Sequence, residues 1–379
     1  MWFFRQFPLA WRVLADRPAR FALSVVGVAF AVVVMFTELG FLNGVTDSST
    51  NVAKLLASDL VVAHPKQEHL KSYVQFSADY LREIRDVPGV QAAVPFYYSP
   101  LNWANPQDGS RNRVLILGVD LADPQLNLPA LETYRKDLAE ADTVLFDRLA
   151  RIELGRVQIG TRTRVEGHPE RVVGLFELGP NFAYEGNLIM STDNFMKLSG
   201  NYPGRVDLGL IRVAPGQDRQ VVRQRILDRL PGLIDVMTPA QVVEREKKFT
   251  TDHAPIGVIF GLGLLVGFAI GVVVCYQILF NEVSDHLPQF AMIKAIGHFP
   301  RFLTGLVLYE ALILSFGGYL AGLGVSLVLY AYMEKGTALR MIMTPPRALL
   351  VLALSSGMCL LAGRLALKKV HTADPADLF

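Results

Sequence analysis

The chain has 379 residues, 51% of them hydrophobic and 19% charged, with a mean hydropathy of +0.31. That balance is too apolar for an ordinary soluble protein and too polar for one confined to a membrane, so several spans plus a sizeable aqueous domain are implied. A net charge of +2 supplies no bulk basic field for nucleic acid, and both cysteines, Cys275 and Cys359, lie in apolar runs, which excludes a disulfide in the aqueous part and a cysteine-rich metal site.

Residues 1–20 set Arg5, Arg12, Arg17 and Arg20 among aromatic and apolar side chains, a basic amphipathic stretch suited to the cytoplasmic headgroup zone. The apolar run 21–42 has the ~20 residues that a span needs and no small-residue cleavage pattern, so it reads as a retained first span. Further spans are expected at 255–280, 302–333 and 348–367. Each span has a proline at or just before its start (Pro18, Pro255, Pro300, Pro345 and Pro346), the placement that suits a helix N-terminus.

With the N-terminus inside, the inner flanks hold nine Lys and Arg residues: Arg5, Arg12, Arg17, Arg20, Lys294, Arg301, Arg364, Lys368 and Lys369. The outer loop 334–347 holds three, Lys335, Arg340 and Arg347. This bias puts both termini, including the tail 368–379, in the cytoplasm, and segment 43–254 outside.

The outer segment alternates strand and helix signals. Strands are expected at 59–63, 90–96, 114–119, 143–146, 163–165, 171–176, 188–190, 208–213 and 235–237, and helices at 80–86, 147–154, 192–198, 219–230 and 240–250. This is an α+β domain large enough to bury its own core. Residues 43–56 continue the first span and 240–250 lead into the second, so motion of either span would pass along stiff connections.

The polar interlude 281–301 is more than a turn. Ser284 and Asp285 are candidate caps ahead of Pro288; Leu287, Phe290, Ile293 and Ile296 recur every third position, and Gly297 is a stop signal. Periodicity leaves two readings open: a helix lying on the lipid interface, or one that docks into a partner protein. Small residues mark the spans at close spacing (Gly257, Gly261, Gly267 and Gly271 in the second, Gly318 and Gly322 in the third), for packing within the chain or between two copies.

No phosphate-cradling G-x-x-x-x-G-K-[ST] loop, H-E-x-x-H pair or G-x-S-x-G elbow occurs, and His64 and His69 read as surface loop residues. Nothing therefore argues for an enzyme or for a metal or nucleotide held by this chain. Three residues in the spans stand out. Glu310 lies about nine residues (~13 Å) into the third span, where a carboxylate is costly unless paired or facing water. Glu38, near the outer end of the first span, either reaches headgroup water or, with Glu310, lines a substrate path; Met35, nearly one turn before it, either packs in the apolar helix or joins them.

Phe290-Ala-Met-Ile-Lys294-Ala-Ile-Gly297 resembles the ATPase-docking loop of MacB/FtsX-type ABC transporter permeases, with the DevC family as the nearest pattern. Supporting stretches are RFALSVVGVAFAVVVMF (20–36), ELGFLNGV (38–45), LPQFAMIKAIGH (287–298) and ADPADLF (373–379), together with the one-then-three span order. The resemblance implies a four-span α-helical membrane domain with an extracytoplasmic α+β domain after the first span, in a bacterial inner membrane. It implies a non-catalytic, homodimeric permease, with Leu287, Phe290, Ile293, Lys294, Ile296 and Gly297 contacting a separate ATPase that binds ATP and Mg. It further implies a periplasmic membrane-fusion adaptor and an outer-membrane channel, and export of a lipid, glycolipid or other amphiphile by mechanotransmission. Two alternatives remain: a haem-exporting permease using Met35, Glu38 and Glu310, and an FtsX-like regulator of an envelope hydrolase that moves no cargo.

Overall fold

The computed structural model describes residues 7–16, 18–72, 74–200, 204–253, 255–285, 300–337 and 341–371. The chain forms two units, one containing the long apolar helices and the other made mainly of Gly44–Ala254.

The first unit begins with α1 (Phe7–Asp16), whose Ala10 and Leu14 are buried while Arg12 faces outward. Helix α2 (Pro18–Ser49) follows, then α3 (Asn51–Leu55), the first helix of the second unit. Among the described residues, four helices are long and apolar enough to cross a membrane, at Pro18–Ser49, Ile256–Asp285, Thr304–Glu334 and Pro345–Lys368. Each expected span lies inside one of them or overruns its start by no more than two residues, and Pro18, Pro255, Pro300 and Pro345 each open a helix. Polar side chains in the first span bond to their own helix: Thr37 donates to the Val33 carbonyl at 2.8 Å and Asn43 to the Leu39 carbonyl at 2.7 Å. That satisfies them where lipid offers no partner.

The second unit takes in β1 (Leu60–Ala63), β2 (Phe76–Ser77), α4 (Ala78–Arg85), β3 (Val90–Ala104), β4 (Arg111–Val119), α5 (Pro129–Thr133), α6 (Arg135–Leu138) and β5 (Thr143–Asp147). It continues through β6 (Arg162–Val165), β7 (His168–Phe176), β8 (Asn187–Ser191), α7 (Thr192–Leu198), β9 (Arg205–Val206), β10 (Leu208–Val213), α8 (Arg219–Arg229), β11 (Asp235–Met237) and α9 (Pro239–Lys248). The remaining helices, α10 (Pro255–Asp285), α11 (Pro300–Thr337) and α12 (Pro345–His371), complete the first unit.

Nine strands make one mixed sheet in the order β11-β1-β10-β3-β4-β8-β5-β7-β6, with β4–β8 and β5–β7 parallel. A bridge between Trp103 and Val165 joins β3 to β6, so the strands from β3 to β6 close on themselves. Side chains alternate between two cores. Val114 and Ile116 of β4 face Phe195 and Ile226 of the helices on one side; Leu115 and Leu117 face Leu131, Leu138 and Val242 on the other. Both faces are thus covered, and the helices start on their own caps: Ser77, Ser191, Asp218, and Thr238 with Gln241 in a reciprocal capping box.

The expected strands all occur, and β3 runs on past Phe96 to Ala104. Pro95 and Pro100 lie within this strand, and each removes only one ladder donor. The expected helix at 147–154 is corrected. Asp147 ends β5 wholly buried, and its carboxylate accepts from Leu149 N at 3.1 Å, Leu178 N at 3.1 Å, Gly179 N at 2.8 Å and Asn187 Nδ2 at 2.7 Å. The turn it organises permits only a short 3₁₀ segment, Ile152–Leu154, closed by Gly155 at φ +86°.

Candidate functional site

In the membrane unit, α2 and α10 run antiparallel. The Arg20 guanidinium pairs with the Asp285 carboxylate, and Phe41 stacks on Phe260 with centroids 5.6 Å apart. Between these ends, a β-carbon at Gly267 would sit 3.0 Å from Val34 Cγ1 and one at Gly271 2.9 Å from Ala31 Cβ. Helix α11 lies parallel to α2, with Gly318 against Val28, Gly322 against Val32, and the Tyr330 hydroxyl donating to the Phe36 carbonyl. Four of the six glycines singled out in the spans therefore pack against side chains of their own chain. Gly261 is exposed with nothing near it, and Gly257 is half-buried.

The three span residues are not brought together. Met35 is fully buried among α2's neighbours, and Glu38 is half-buried with its carboxylate over Gly263. Glu310 is buried, and its Oε1 has no hydrogen-bond partner. Tyr330, which faces Gly40, lies twenty residues after Glu310, ~30 Å along α11. Glu38 and Glu310 thus sit near opposite ends of the bundle.

The docking residues Leu287, Phe290, Ile293, Lys294, Ile296 and Gly297 lie outside the described residues. Their flanks are described: α10 ends at Asp285, tied to α2 through Arg20, and α11 starts at Pro300.

The structure adds a feature that the sequence did not reveal, within the soluble unit. Where α2 ends and α9 runs into a π-helical turn, Phe249–His253, the Thr250 hydroxyl lies 3.1 Å from Ser49 Oγ and 3.0 Å from the Glu246 carbonyl. Glu246 is itself 3% exposed and accepts from Leu70 N at 2.6 Å. Ser49, Tyr98, Asn181, Tyr184 and Glu246 are among the residues around an adjoining cavity of about 20 Å³, room for about one water. His69, expected on the surface, is half-buried and stacks on Phe249 with centroids 3.6 Å apart. The two segments that link the soluble unit to the spans thus meet at the part-buried Ser49–Thr250 contact. A signal for this was present: Val242 and Glu246 share one helix face, which places a carboxylate on an apolar stripe.

Two families match along the chain: the MacB-like periplasmic core domain over residues 21–229 and the FtsX-like permease C-terminal domain over residues 251–375. Uncharacterized ABC transporter permeases from two strains of Mycobacterium tuberculosis are 22% identical over 376 residues, covering 98% of each chain. The periplasmic region of MacB from Actinobacillus actinomycetemcomitans aligns with 50% of this chain and 92% of its own, at 10% identity and a TM-score of 0.38. The extracellular domain of the noncanonic ABC-type transporter YknZ from Gram-positive bacteria aligns with 47% of this chain and 99% of its own, at 12% identity and a TM-score of 0.35. The chain belongs to the MacB/FtsX-type ABC transporter permeases, with a MacB-like periplasmic core domain inserted between its first span and an FtsX-like C-terminal set of three.

Proposed function

We propose that this permease is the membrane subunit of a bacterial inner-membrane exporter, working as a homodimer with a separate ATPase and moving a lipid, glycolipid or other amphiphile as DevC-like permeases do. ATP and Mg belong to the ATPase, whose closure drives the 287–297 segment. The stroke then travels along the spans to the domain that gathers cargo and passes it through a periplasmic adaptor to an outer-membrane channel. In this reading both termini are cytoplasmic and the α+β domain is periplasmic.

The observation that carries the reading is the joint at Ser49 and Thr250, which makes the leading and trailing linkers of the soluble unit one mechanical element. A passive anchor has no use for such a tie, whereas a transmitted stroke needs both linkers to move together. The separation of Glu38 from Glu310 gives no support to a shared haem site. Reconstitution with the cognate ATPase and adaptor tests the proposal. ATP-dependent release of an amphiphile is the expected result; hydrolysis that responds only to an envelope hydrolase would replace export with the regulatory reading.

A further inference from the structure

The chain's two cysteines come from different helices and meet inside the membrane unit. Cys275 of α10 and Cys359 of α12 are 84 residues apart in sequence, yet their sulfurs lie 3.2 Å from each other as free thiols. Both side chains are almost wholly buried. A β-carbon at Gly271 would overlap the Met358 sulfur, so the missing side chain just before Cys275 lets α10 approach α12 closely. From α11, the Ser315 hydroxyl lies 3.3 Å from Ser355 Oγ and 3.4 Å from Ser356 Oγ, holding the turn of α12 that leads to Cys359.

Packing alone accounts for one cysteine in an apolar helix, since a free thiol behaves as a small hydrophobe. It does not require two of them sulfur to sulfur, where alanine would fill similar space. Two thiols in contact can do what no other pair of small residues can. A closure of about 1 Å brings these sulfurs to covalent distance.

We propose that Cys275 and Cys359 are a modification site, a reversible disulfide that ties the second span to the fourth. The oxidant is a small neutral peroxide, able to enter an apolar bundle that excludes charged reagents. One thiol attacks it: the S–H and O–O bonds break, an S–O bond forms, and water leaves behind a sulfenic acid. The other thiol then attacks that sulfur, and the hydroxyl departs as a second water with the remaining thiol proton. The two sulfurs together give up two electrons, and the two peroxide oxygens take them. A small dithiol reverses the bond by exchange and is itself oxidised to a disulfide. Once cross-linked, α10 cannot shift against α12. Because α10 leads into the 287–297 segment, the bond arrests the stroke; that consequence rests on the proposed function, whereas the bond itself does not.

The test treats the purified full-length chain in lipid nanodiscs with hydrogen peroxide, then unfolds it and labels its thiols with a maleimide. The expected result is loss of most labelling and an intact mass lower by two hydrogens, both restored by a dithiol reductant. Cys359→Ala is expected to keep its remaining thiol labelled after the same treatment; if it is not recovered folded, Cys275→Ala serves in its place. Undiminished labelling of the wild type, or oxygen added to the sulfurs without loss of the two hydrogens, would overturn the site. In the complex with ATPase and adaptor, the oxidised wild type is expected to release cargo severalfold more slowly than the peroxide-treated variant, and to recover on reduction. Equal release by the two would overturn the arrest. Absence of release from the reduced wild type would instead sink the export reading, with the bond judged by mass and labelling alone.

Discussion

The Thr250 hydroxyl lies 3.1 Å from Ser49 Oγ, joining positions 201 residues apart in sequence. Ser49 is the last residue of α2, and Thr250 lies in the π-helical turn ahead of α10. Such wide turns recur where a helix must yield at a functional position.

Thr250→Val keeps the shape of the side chain but removes the hydroxyl, whose one proton is shared between Ser49 Oγ and the Glu246 carbonyl. The expected loss of stability is small, about 1 kcal/mol. Coupling is expected to suffer more: ATP hydrolysis in the reconstituted complex persists while cargo release falls severalfold. Parallel loss of both activities would instead mark Thr250 as a general folding residue.

Gly322 and Gly261 make opposite predictions. A β-carbon at Gly322 would lie 2.6 Å from Val32 Cγ1 and 3.0 Å from the Ala29 carbonyl oxygen, which the backbone holds in place. Gly322→Leu is therefore expected to cost about 1–3 kcal/mol and to lower the Tm of the detergent-solubilised protein. Gly261 has nothing within 4 Å, so Gly261→Leu should leave the monomer's melting unchanged. If the proposed homodimer packs there, that variant will instead lower the dimer fraction in light scattering.

Glu170 gives the soluble unit a pH signature. Burial, with Asp142 nearby as a second contribution and Lys197 opposing, pushes its carboxyl from 4.5 up to about 7, and Oε2 has no hydrogen-bond partner. The folded protein keeps this proton between those values while the unfolded chain has lost it. Stability should therefore fall as pH rises through that window, with the full penalty present above pH 7. Glu170→Gln is expected to stabilise the protein by about 1–3 kcal/mol at pH 8 and to change little at pH 4. Thermal unfolding across pH checks both limits; a variant that melts lower at pH 8 would contradict the assignment.

Phe290→Asp and Ile293→Asp put charge on the apolar stripe that the sequence predicts for the proposed ATPase-docking segment. Co-purified ATPase is expected to drop at least tenfold, with membrane insertion intact. Normal association of the double variant would leave the segment as an interfacial helix only.

Much of this organisation is written locally. The spans are legible because a run of ~20 apolar residues has few other homes, and the strands because alternation reports a sheet with covered faces. Helix 147–154 was misread because Asp147 looks like a helix start in sequence. Three of the four groups that bond its carboxylate, on Leu178, Gly179 and Asn187, lie thirty or more residues away.

The sequence by itself determined the four spans, the longer strands of the main sheet and the family, since each rests on periodicity or on a contiguous motif. Only the tertiary structure decided which glycines are filled by the chain's own side chains, that Glu38 and Glu310 stand apart, and that Ser49 meets Thr250. Those facts depend on how distant helices and strands align, and no local pattern encodes the distance between two side chains that meet only after the chain has folded.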